Sequence, residues 1–74
     1  MMTAYCLVAT ETFEALVKQH GIIEFAVDDR EPVTIERSAP NLDGSHAYWV
    51  CREGHKLATV YSATEALAIV ENAQ

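Results

Sequence analysis

The chain has 74 residues and a formal charge of −6, from eleven acids against five bases. That length holds one small domain, residues 1–74, and half of it is hydrophobic, which argues against intrinsic disorder. The five bases (Lys18, Arg30, Arg37, Arg52 and Lys56) are scattered among acids, which disfavours direct phosphate-driven nucleic-acid binding, and no apolar run approaches the length of a bilayer span.

Residues Ala4–Ala9 form an apolar run that predicts a short buried strand. Thr10 then offers a helix N-cap, with Glu11 and Glu14 in the first turn, where the helix dipole favours acids. Phe13, Leu16, Val17 and His20 recur at helical spacing, and Gly21 suits the left-handed position that ends a helix. This predicts a helix over 11–20.

Ile22–Val27 alternates, with Ile23, Phe25 and Val27 on one side and Ile22, Glu24 and Ala26 on the other. Val33–Arg37 alternates again, with Val33 and Ile35 inward and Thr34 and Glu36 outward. The polar connection from Asp28 to Pro32 makes the two a hairpin. Ser38–Ser45 is a loop by composition.

His46–Cys51 and Lys56–Tyr61 read as a second hairpin around Arg52-Glu53-Gly54. A three-residue loop with Gly54 in the left-handed position pairs Cys51 with His55, Trp49 with Leu57 and Ala47 with Thr59. Tyr48, Val50, Ala58 and Val60 then share the opposite face. Both faces carry apolar bulk: one should meet the helices, and the other is half-covered by the termini or is an interface. The final helix is announced by Ser62-Ala63-Thr64-Glu65, a capping box, and by the stripe Ala63, Ala66, Leu67 and Val70. The expected fold class is α+β, a single domain with an antiparallel sheet of four to five strands and two helices packed on one face.

Cys51, His55 and His46 are the only cluster with metal-ligand spacing, and Cys6 or His20 would be needed to complete four ligands. The usual pair of cysteines two positions apart is missing, so no metal and no cofactor is expected. A Cys51–His55 nucleophile pair would need an activating environment that a hairpin end does not offer, so no enzyme activity is expected. No basic region precedes the apolar start, and the expected location is cytoplasmic, with both cysteines reduced.

Asp28, Asp29 and Glu31 lack the spacing of a calcium loop. Joined by Glu24 and Glu36 on the outward face of the hairpin, they form an acidic patch that could mimic spaced phosphates toward a basic protein or nucleoprotein complex. Tyr48 and Trp49 point to opposite sides of one strand, so one can enter the core and the other reaches a partner surface. Tyr48 is the candidate for that surface. The alternative is a structural or assembly module that homodimerises through an apolar sheet face.

A short acidic chain with a Ser62-Ala63-Thr64-Glu65-Ala66 helix after an Arg52-Glu53-Gly54-His55-Lys56 hairpin is similar in character to small phage and prophage proteins of the anti-CRISPR type. The resemblance covers general character along the whole chain, and no functional residue is carried over from it. It implies stoichiometric inhibition of a host complex by occupying a basic site.

Overall fold

The computed structural model describes residues 1–26 and 31–73. The elements are β1 (Met2–Ala4), α1 (Thr10–His20), β2 (Ile22–Phe25), β3 (Val33–Arg37), β4 (Tyr48–Arg52), β5 (His55–Val60) and α2 (Ala63–Ala73). The five strands form one sheet in chain order, and the fold is α+β.

The sheet is mixed, a correction to the fully antiparallel expectation. β1 runs parallel to β2, with Met2 opposite Ile23 and Ala4 opposite Phe25, and the later strands are antiparallel. Parallel neighbours require a crossover, and α1 supplies it. The first strand is also shorter and earlier than the run Ala4–Ala9 suggests. Its pairing ends with the Ala26 amide on the Ala4 carbonyl, and Tyr5, Cys6 and Leu7 are exposed as the chain climbs to the helix. Only Ala4 of the expected strand is buried, and β2, its partner, has only four residues to pair with.

Thr10 is the first helical residue rather than the cap. Ala9 takes that position, in extended backbone and without a side-chain cap bond, and its carbonyl accepts the Phe13 amide. The far end follows expectation. Gly21 has φ +78° and returns its amide to the Val17 carbonyl, and its positive φ is one that L side chains rarely adopt. At α2 the Glu65 amide donates to Ser62 Oγ at 3.1 Å, which makes the Ser62 half of the capping box.

The β4–β5 hairpin has a two-residue turn, Glu53-Gly54, instead of the expected three. Both turn residues have positive φ, +52° and +78°, the conformation that matches the twist of paired strands. Arg52 pairs with His55 and Cys51 with Lys56, whereas Val50 pairs with Ala58 and Trp49 with Thr59. Leu57 is therefore the extra residue of a β-bulge. Beyond the bulge the register moves by two, so Tyr48, Trp49, Val50, Ala58, Thr59 and Val60 keep their expected faces, but between turn and bulge it moves by one, and His55 and Lys56 exchange faces.

Both helices cover the same face of the sheet. Phe13 and Val17 from α1 and Ala63, Ala66 and Val70 from α2 pack on Ile23, Phe25, Val33, Ile35, Tyr48, Val50 and Val60. Phe13 lies between Phe25 and Tyr48, with ring centroids 6.1 and 5.9 Å away. Arg52, which the sequence places in a turn, is the last residue of β4 and points to this side. Its Nη2 donates to the Ala73 carbonyl at 2.7 Å and supplies the cation that the last turn of α2 lacks. Its Nε is buried and has no hydrogen-bond partner among the described residues.

Candidate functional site

Strand alternation sends every second side chain to the face that no helix covers. Two rows of residues cross that face. Ile22, Glu36, Trp49 and Thr59 make one, each opposite the next across neighbouring strands. Thr3, Glu24, Thr34, Cys51 and Lys56 make the other. Glu24 and Glu36 are diagonal neighbours on β2 and β3, a geometry that separates residues by about 7–8 Å. Glu36 is exposed and Glu24 partly buried.

The sole tryptophan is at the centre of this bare face, partly buried and directly opposite Glu36. Lys56 reaches across from β5 and sets its Nζ 5.5 Å from the centre of the Trp49 ring, within cation–π range. Cys51, two residues along β4, is a partly buried free thiol.

The candidate residues separate accordingly. Glu24 and Glu36 share the bare face as expected, and Glu31 is exposed just before β3. Asp28 and Asp29 lie outside the described residues. Tyr48 requires correction: it is only 9% exposed, packs against Phe13, and belongs to the core. Trp49, not Tyr48, is the aromatic residue of this strand on the bare face. The signal was present in the strand itself, because Tyr48 shares its side with Val50, Ala58 and Val60, whereas Trp49 shares its side with Cys51 and Thr59.

The Cys/His set does not assemble. His46 holds its Nδ1 2.8 Å from the Ser38 carbonyl, which assigns the proton to that nitrogen, and His55 is exposed beside the β4–β5 turn. Cys6 and His20 are exposed on the first loop and at the end of α1. Among the described residues no three His, Cys, Asp or Glu side chains come together as a metal site.

Elsewhere the surface offers open clefts. One of about 380 Å³ lies between α1 and the ends of β3 and β4. Glu11 and Glu14 face Lys18 and Arg37 there, so its charges cancel. A second, also about 380 Å³, runs between Leu7, Val8 and Leu67, with Glu71 at its rim. On the loop before β4, the Ser45 hydroxyl and amide donate to Asp43 Oδ1 at 2.6 and 2.9 Å and hold the Asp43 carboxyl below its usual range. Among the described residues no helix is long and apolar enough to cross a membrane. No family model matches the chain, and neither a curated protein nor a solved structure matches it.

Proposed function

We propose that this chain is a non-enzymatic binding protein that docks the bare face of its sheet on a basic surface of a partner. The observation that carries this reading is the division of the sheet. One face is closed by both helices, and the other keeps the only tryptophan directly opposite Glu36, with Glu24 a diagonal step from Glu36 on β2. An amphipathic aromatic ring and flanking carboxylates supply buried area and complementary charge, the two requirements for a basic protein partner. The net charge of −6 steers such a partner in and keeps nucleic acid away. The sequence adds three further acids, Asp28, Asp29 and Glu31, between β2 and β3.

Occupying a basic surface displaces any acidic ligand of that surface. The activity is then stoichiometric inhibition in the cytoplasm, in the manner of small phage proteins of the anti-CRISPR type, and needs no cofactor. A second copy of this chain fits the bare face less well, because each copy carries a net charge of −6 and brings its own Glu24 and Glu36 to the contact. Sedimentation at micromolar concentration reads the monomer that follows.

The test is capture from a lysate of the source cell on immobilised wild-type protein and on a Glu24→Lys/Glu36→Lys variant, each at low and high salt. The expected result is a basic protein retained at low salt by the wild type and lost both from the variant and at high salt. Equal retention by the variant contradicts the reading. A parallel triple variant, Asp28→Lys/Asp29→Lys/Glu31→Lys, reports whether the acidic connection shares in the contact.

A further inference from the structure

Lys56 is the only cation on the two rows that cross the bare face, and it is folded onto the Trp49 ring. Its position follows from the hairpin. Pairing with Cys51 puts Lys56 on the bare face, one diagonal step from Trp49, and the bulge at Leu57 sets the strand course beside it. The ring it covers is directly opposite the exposed Glu36, and cross-strand partners hold their Cβ atoms about 4.5–5.5 Å apart. An indole face beside a carboxylate suits one side chain better than any other. A guanidinium stacks its plane on the ring while its N–H fork reaches sideways to the acid, whereas an ammonium is a compact, strongly hydrated point charge.

We propose that Trp49 and Glu36 form a recess for an arginine side chain of the partner, and that Lys56 is its built-in competitor, seated on the ring until the arginine displaces it. This rests on the docking face argued above and adds what that face recognises. Binding must displace the Lys56–Trp49 contact, so Lys56 weakens recognition by occupancy as well as by charge. Removing it tightens binding about threefold, the effect expected of a cation–π contact at a solvent-exposed ring.

The probe is a fluorescein-labelled hexa-arginine peptide, followed by anisotropy, with hexa-lysine as the comparison. Lys56→Gln should tighten hexa-arginine binding about threefold, and Lys18→Gln, the same charge change on the helix side, should alter it far less. On a Trp49→Leu background, checked for folding by circular dichroism, the Lys56→Gln effect should shrink to the small charge effect that Lys18→Gln shows. Equal tightening by Lys56→Gln and Lys18→Gln, a Lys56→Gln effect undiminished without Trp49, or no effect of Lys56→Gln overturns the proposal. So does equal affinity for the two peptides. The docking face itself fails on a different result, unchanged binding after charge reversal at Glu24 and Glu36, so the two failures are told apart.

Discussion

The two faces of the sheet are made from the same five strands and differ in everything else. On the covered face, Ile23, Phe25, Val33, Ile35 and Val50 are excluded from water almost completely and lie under two helices. On the bare face the corresponding positions are Ile22, Glu24, Thr34, Glu36 and Trp49, none of them buried. In a chain this short one apolar layer is all the composition can close, so the second face stays uncovered by helix. Stability and recognition can then be altered separately, and this can be tested.

The largest effect belongs to the covered face. Phe13→Ala removes the ring wedged between Phe25 and Tyr48 and should cost about 3–5 kcal/mol, enough to abolish a cooperative urea transition in a domain of this size. Trp49→Leu is the paired test. It should cost far less stability than Phe13→Ala and yet abolish retention of the basic partner. A Trp49→Leu chain as unstable as Phe13→Ala would erase the distinction between the faces.

Arg52→Gln comes next. Loss of the Nη2 bond to the Ala73 carbonyl should cost about 1–2 kcal/mol and should appear as faster amide exchange in the last turn of α2, with partner binding unchanged. Ser62→Ala should cost about 1 kcal/mol in the same urea assay, through the lost cap on the Glu65 amide. Glu53→Asn should act in the opposite direction. Glu53 holds a φ of +52°, which asparagine tolerates better, and the variant should gain a few tenths of a kcal/mol.

The smallest effect is one of pH. Asp43 has its folded pKa held below 3.8 by the Ser45 donors, so its contribution is present above that value and disappears as pH falls through the folded pKa. A proton titration followed at Ser45 should show the loop loosening only in that acidic window, with the sheet unaffected. A midpoint at or above 3.8 would contradict the assigned cause.

Much of this division was legible in the sequence. Strand parity alone placed Ile23, Phe25, Val33 and Ile35 together, and it placed Glu24 and Glu36 on the opposite side, because period-two alternation survives an error in strand length. It also survived the shorter β4–β5 turn for Tyr48, Trp49, Val50, Ala58, Thr59 and Val60, since one residue lost from the loop and one gained at Leu57 restored their parity, whereas His55 and Lys56, between the two changes, exchanged faces. The non-local features were not legible. The parallel pairing of β1 depends on how the crossover packs, the Arg52 bond to Ala73 joins residues 21 positions apart, and the seat of Lys56 on Trp49 depends on the bulge. Tyr48, the expected partner contact, is in the core instead. Its aliphatic neighbours on the same face decided this.

The central claim is that recognition belongs to the bare face. Its most direct test is an amide-shift map recorded while hexa-arginine is titrated into the protein. Saturable shifts gathered on Glu24, Thr34, Glu36, Trp49 and Cys51 are the predicted result. Shifts gathered instead on the outward sides of α1 and α2, at Glu11, Glu14 and Glu71, would contradict it.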